Sequence, residues 1–63
     1  MPKTDITVKL IGEDGNAFAI LGKVRKALKR GGYGNLIAEY TKEATSGDYD
    51  NLLRVTMEYV NVE

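Results

Sequence analysis

The sequence contains no cysteine and no histidine, and these two absences exclude several kinds of site. Without cysteine no disulfide can stabilise the fold, and without either residue the two commonest ligands of transition metals are missing. Neither residue is present to activate the single serine, Ser46, or to act as a nucleophile. The sequence therefore predicts a protein that is not an enzyme, with no catalytic residues, no metal and no cofactor.

Long apolar runs and a charge excess of either sign are also absent. No apolar run approaches the ~20 residues of a membrane helix, and the first residues lack the apolar core of a signal peptide. Nine lysines and arginines balance nine aspartates and glutamates, so the net charge is zero. A neutral chain has no overall attraction to nucleic acid or to an anionic membrane. We expect a cytoplasmic protein that does not bind a membrane.

The length of 63 residues predicts one small domain over residues 1–63. A chain of this size buries only about 60% of the surface that its unfolded form exposes, so its stability is marginal. Disulfides, metals and association with another chain are the usual additional sources of stability. Since the composition removes the first two, association is the one that remains.

The first half of the sequence predicts a strand, a turn and a helix. Apolar and polar residues alternate from Asp5 to Gly12, which is the pattern of a strand with one buried face. A turn follows over Gly12–Gly15, and Asp14 or Asn16 caps the next element. The spacing of apolar residues then predicts a helix from Ala17 to Arg30, ended by two glycines.

The second half predicts two more helices and an ambiguous end. Asn35 caps a helix that ends near Thr45, and Ser46 or Asp48 caps the next helix. Residues Tyr59–Glu63 alternate again, so a short strand is one of two readings of the end, continued helix being the other. Such a strand could pair with the first strand, or first strands of two copies could pair. The predicted fold class is α+β, with one N-terminal strand followed by three helices.

The third helix is apolar over roughly 200° of its circumference, against the ~100° stripe of a simple surface helix. A helix of this kind is usually buried on two sides, and the second side is assigned to another subunit or protein. Gly22, in the middle of the first helix, costs about 1 kcal/mol of stability relative to alanine. This cost predicts that another backbone approaches closely there. We expect a self-associating interaction module, a homodimer or higher oligomer, whose interface is formed by Phe18, Gly22, Leu52, Val55 and Tyr59.

Nucleic-acid binding is the alternative function. The first helix carries cations with no acid between them, and Lys23, Lys26, Lys29 and Arg30 could contact phosphates. Tyr33 and Tyr40 could offer stacking surfaces.

The stretch IGEDGNAFAILGK has the outline of a phosphate-binding loop. However, its glycines are wrongly spaced, and Val24 stands where that loop needs a hydroxyl. The sequence therefore predicts no nucleotide site.

Two turn segments, DGNAFAILG and EATSGDYD, together with the ending VNVE, resemble a family of small bacterial proteins. Members of that family also occur on phages and plasmids, and the resemblance extends over most of the chain. It implies a bacterial or mobile-element setting. The family has no established activity, so the resemblance supplies no catalytic or binding residues.

Overall fold

Two short parallel strands pack on three helices. The computed structural model describes residues 2–10, 12 and 16–63. Its elements are β1 (Thr7–Val8), α1 (Ala17–Arg30), a 3₁₀ turn (Gly34–Leu36), α2 (Ile37–Ala44), α3 (Tyr49–Tyr59) and β2 (Asn61–Val62). The α+β fold is confirmed, and the end of the chain is a strand rather than continued helix.

The strands β1 and β2 pair within one chain, in parallel, with Thr7 opposite Asn61. Backbone hydrogen bonds continue past the paired residues, from the N–H of Lys3 at one end to the N–H of Leu10 at the other. Of the two pairings that the sequence left open, the structure has the one within the chain. β1 is shorter than the predicted Asp5–Gly12, because β2 offers only two residues in register.

Side-chain caps fix the starts of α1 and α3. The Asn16 side chain accepts a hydrogen bond from the N–H of Ala19 at 3.1 Å, and that of Asp48 accepts from the N–H of Asn51 at 2.9 Å. Each bond satisfies a donor that the first turn of a helix otherwise leaves unpaired. α1 begins and ends where the sequence predicts. The alternative cap Asp14, like most of the predicted turn, lies outside the described residues.

The predicted cap of the second helix is wrong. Asn35 lies inside the 3₁₀ turn, and α2 begins at Ile37 without a side-chain cap. The 3₁₀ turn runs directly into α2, and the N–H of Ile37 bonds to the carbonyl of Gly34. Bonds of this kind satisfy the first donors of the helix, so no capping side chain is needed.

The core lies between the three helices and the inward face of β1. Tyr40 of α2 and Tyr59 of α3 are fully buried at its centre, with ring centroids 5.3 Å apart in an edge-to-face arrangement. Aromatic pairs in this arrangement stabilise a fold by more than the burial of their surface area alone. The other buried apolar residues are Val8, Leu10, Ile20, Val24, Leu28, Ala44, Leu52, Val55 and Val60.

Within the described part of the chain, a close approach occurs at Gly31 and not at Gly22, and an approach of a second copy to Gly22 stays a prediction. A Cβ on Gly22 would meet nothing within 4 Å among the described residues, whereas one on Gly31 would come 2.5 Å from Cδ1 of Ile6. Gly31 ends α1, and its missing side chain lets Ile6 of the N-terminal segment pack against the helix end. The close contact therefore joins the sheet to α1.

Candidate functional site

Three of the five residues predicted for the interface are core residues of the single chain. Leu52, Val55 and Tyr59 are at most 3% exposed. The wide apolar arc of α3 is covered within the chain, because its buried residues belong to one core cluster that also contains residues of α1, α2 and β1. These side chains cannot touch a second copy while the chain is folded, so this part of the predicted interface is corrected.

Phe18 and Gly22 remain on the surface, and Phe18 is 87% exposed. Phe18 borders a cleft of about 250 Å³ between the start of α1 and the junction of α2 with α3. We call it the Phe18 cleft. Its described lining residues are Ala17, Phe18, Leu21, Ala44, Thr45, Gly47, Asp48, Tyr49 and Leu52. This surface is largely apolar and offers both a protruding ring and a depression beside it.

A second, larger cleft of about 570 Å³ runs between β1 and α1. Its described lining residues are Ile6, Thr7, Val8, Lys9, Lys23, Lys26, Ala27, Arg30 and Gly31. We call it the basic cleft, because four of these residues are cations and none is an acid. Three of the four cations predicted to contact nucleic acid line it, while the fourth, Lys29, is exposed outside it.

Lys9 belongs to the basic cleft, although the sequence singled out only the cations of α1. Lys9 directly follows β1 and is far from Lys26 and Arg30 along the chain. The alternation of the strand places Lys9 away from the buried Val8, but does not show which helix lies beside it. Only the packing of β1 on α1 brings Lys9 to the same cleft as the cations of α1.

Neither tyrosine proposed as a stacking surface lies in the basic cleft. Tyr40 is fully buried, and its hydroxyl is 2.7 Å from Oγ1 of Thr56. Tyr33 is half-buried, with its hydroxyl 3.5 Å from a carboxylate oxygen of Asp5. No aromatic residue is among the described lining residues of the cleft. The nucleic-acid contact of the α1 cations stays a prediction.

Lys3, Glu39, Glu43 and Tyr59 form a polar cluster that connects the core to the surface. The Tyr59 hydroxyl lies 2.6 Å from a carboxylate oxygen of Glu39 and 2.6 Å from one of Glu43. The ammonium of Lys3 donates to the same Glu39 oxygen at 3.0 Å and lies 4.7 Å from the centre of the Tyr59 ring. This cluster ties the N-terminal segment and α2 to the end of α3.

The cluster shifts three pKa values. Burial, followed by the hydrogen bonds to Glu39 and Glu43, raises the pKa of Tyr59 well above its ordinary value. The hydrogen bond from Tyr59, followed by that from Lys3, lowers the pKa of Glu39 below 4.5. The same bond to Glu39 raises the pKa of Lys3. Each shift favours the ionisation state that makes the hydrogen bonds, which is the behaviour of a structural cluster.

The described residues contain no group of three or more acids that could hold a metal ion. Nor is any helix in the described part of the chain both long and apolar enough to pass through a membrane. The Ser46 hydroxyl donates to the carbonyl of Glu43 at 2.7 Å, a bond that closes the turn after α2. The Phe18 cleft and the basic cleft are depressions in the described surface that offer space to a partner.

Comparison with models of protein families, with curated proteins and with solved structures finds no match to this chain. The resemblance of its two turn segments to a bacterial family stays a prediction.

Proposed function

We propose that this protein is a non-enzymatic interaction module of the cytoplasm that associates with a second copy of itself through the Phe18 cleft. The observation that carries the proposal is Phe18, a phenyl side chain 87% exposed beside an apolar depression. The bacterial, phage or plasmid setting that we propose rests on the resemblance of the two turn segments alone.

A single exposed apolar side chain is ordinary on a protein surface. The position of Phe18 matters because the neighbouring cleft of about 250 Å³ is smaller than a typical small-molecule site of about 300–1,000 Å³. Its size and its lining by Leu21 and Tyr49 suit one inserted side chain. Burying a phenyl side chain completely contributes about 1.5–3 kcal/mol.

A second copy is the occupant that this geometry favours. The ring and the cleft adjoin on one surface, so a two-fold axis beside Phe18 lets each copy place its ring in the cleft of the other. Interfaces of this isologous kind are the commonest in homodimers, and each contact is made twice. The zero net charge adds no overall repulsion between copies. Two buried rings contribute about 3–6 kcal/mol, part of which offsets the entropy lost on association, so we expect a weak dimer with a dissociation constant no tighter than about 0.1 mM.

Sedimentation equilibrium tests the proposal. At about 1 mM protein, we expect an average mass clearly above the 7.0 kDa of one chain and approaching twice that value. Phe18→Glu should return the mass to that of a monomer. Met57→Glu is the matched control, because Met57 is 56% exposed on α3 and does not line the cleft. A monomer at every concentration, or equal losses in both variants, would overturn the proposal.

A further inference from the structure

We propose that the basic cleft binds an extended acidic segment of another protein, which adds as a third strand to the free edge of β1. This cleft is separate from the Phe18 cleft, and the inference goes beyond self-association. Its elements are a strand edge with unpaired backbone groups, a row of cations and an apolar floor.

The edge of β1 that faces the cleft has backbone groups to offer. The carbonyls of Ile6 and Val8 accept hydrogen bonds from β2, at 2.8 and 3.0 Å. Backbone groups alternate in direction along a strand, so those of Thr7 point to the other edge. The described lining of the cleft includes β1 and α1 but no residue of β2, which places the cleft on that other edge. An exposed edge of this kind is a template for another strand.

The charges of the cleft select the partner. Lys9, Lys26 and Arg30 make no ion pair with any other described residue, and Lys23 lines the same cleft. On a chain with no net charge, this is a local concentration of one sign. A strand laid along β1 would pass between Lys9 and the α1 cations. Acidic side chains on the incoming strand would therefore meet opposite charges along its length.

A peptide fits this cleft better than a nucleic acid does. The floor contains Ile6, Val8 and Ala27, which suit apolar side chains, and the unpaired backbone of Thr7 suits another peptide backbone. Proteins that bind single-stranded nucleic acid combine a basic groove with aromatic side chains on which the bases stack, and the described lining of this cleft has no aromatic side chain. A second copy of β1 is also disfavoured, because it would bring its own Lys9 to the same cations.

Binding of a synthetic peptide tests the charge requirement. The probe is a fluorescein-labelled octapeptide of alternating glutamate and threonine, measured by anisotropy at low salt. The protein is the full chain carrying Phe18→Glu, so that failure of self-association does not affect the result. We expect saturable binding that weakens about 10-fold or more in Lys26→Glu/Arg30→Glu. Lys29→Glu/Lys42→Glu, which makes the same charge change outside the cleft, should bind nearly as well as the parent.

Two further measurements test strand addition itself. Thr7→Pro removes an N–H at the free edge that β2 does not use, and proline is tolerated on edge strands. We expect it to weaken binding about 10-fold, the effect of losing roughly 1.4 kcal/mol. Peptides N-methylated at every second residue, in the two alternating patterns, leave the protein unchanged. One pattern blocks the donors that face β1 and should abolish binding, while the other should not.

The proposal is overturned by any of three results. The first is no binding of the acidic peptide by a folded protein. The second is equal binding of both N-methylated peptides, which would show that the attraction is electrostatic without strand pairing. The third is tighter binding of an oligothymidine of matched charge that is insensitive to Thr7→Pro, which would assign the cleft to nucleic acid.

Discussion

The hydroxyl of Tyr59 lies 2.6 Å from a carboxylate oxygen of Glu39, so a fully buried ring reaches a charge at the surface. Glu43 is equally near that hydroxyl. A phenol has one proton, so it donates to one carboxylate at a time. Loss of that proton would leave a buried anion facing two carboxylates, which ties the fold to the protonation of Tyr59.

Tyr59 is expected to limit stability in alkali. Its pKa in the folded chain is raised above the ordinary value of 10.0, first by burial and then by the hydrogen bonds to Glu39 and Glu43. The unfolded chain can release this proton near pH 10 and the folded chain cannot. The stability contributed by Tyr59 is therefore complete below pH 10 and declines as the pH rises above it. Urea unfolding between about pH 8 and about pH 11 should show this decline.

The Tyr59→Phe variant checks the assignment. It should lose about 1.5–3 kcal/mol near neutral pH, because a hydrogen bond to a carboxylate is removed, yet show a shallower alkaline decline. Tyr33→Phe is the control, since its hydroxyl only approaches Asp5 at 3.5 Å, and it should keep the parent slope. An unchanged slope in Tyr59→Phe would show that another group governs the alkaline limit.

Glu39 is expected to contribute to the acid limit. Its folded pKa lies below 4.5 because of the bonds from Tyr59 and Lys3. Its contribution is present above pH 4.5 and is lost as the pH falls through the folded pKa. Glu39→Gln should therefore flatten the acid side of the stability profile, measured by denaturant unfolding. Glu58→Gln, which removes a surface carboxylate 3.7 Å from Arg54, should leave that side steeper than Glu39→Gln does.

The features predicted correctly from the sequence depend on local signals. The bounds of α1 follow from a cap at Asn16, a periodic apolar stripe and the two glycines after Arg30, all within a short stretch. The Asp48 cap is local in the same way. The pairing of Thr7 with Asn61 joins the two ends of the chain, and alternation alone cannot name a strand's partner. The sequence therefore left two pairings open.

The wrong assignment of α3 residues to an interface also arose because local sequence patterns do not show contacts between distant parts of the chain. Periodicity shows that Leu52, Val55 and Tyr59 lie on apolar faces, but not whether a neighbouring element or another chain covers them. In the fold, α1, α2 and β1 share one core cluster with them. The basic cleft was only partly predicted, because Lys9 reaches the α1 cations through the packing of β1. In both cases the missing information is a contact between distant parts of the chain.

Replacing Val55 separates a core role from an interface role. Val55 is 3% exposed and belongs to the apolar core cluster, so Val55→Glu buries a carboxylate there. Such burial costs several kcal/mol, which is comparable with the total stability of a small domain, about 5 kcal/mol. Far-ultraviolet circular dichroism should show loss of the helices, whereas Phe18→Glu should keep them. A folded, monomeric Val55→Glu protein would instead support the interface that the sequence predicted.

Gly22 is expected to tolerate a side chain. A Cβ there meets no atom of the described residues within 4 Å, so Gly22→Ala should raise the free energy of unfolding by about 0.5–1 kcal/mol through helix propensity. Gly32→Ala is the matched comparison, because Gly32 has a φ of 88°. Alanine in that region costs about 1–2 kcal/mol, so this variant should be destabilised. If Gly22→Ala destabilised the chain, a backbone would have to approach Gly22 closely, as the sequence first suggested.

Asn35 and Asp48 are the predicted caps of the second and third helices, and replacing each by alanine shows which of them stabilises its helix. Asp48 accepts from the N–H of Asn51 at 2.9 Å, so Asp48→Ala should cost about 1 kcal/mol in denaturant unfolding. Asn35 lies inside the 3₁₀ turn, where its side chain caps nothing, so Asn35→Ala should change stability by less than about 0.5 kcal/mol. A loss in Asn35→Ala as large as that in Asp48→Ala would show that Asn35 caps α2 in solution. The start of α2 would then lie nearer to the residue that the sequence pattern indicates.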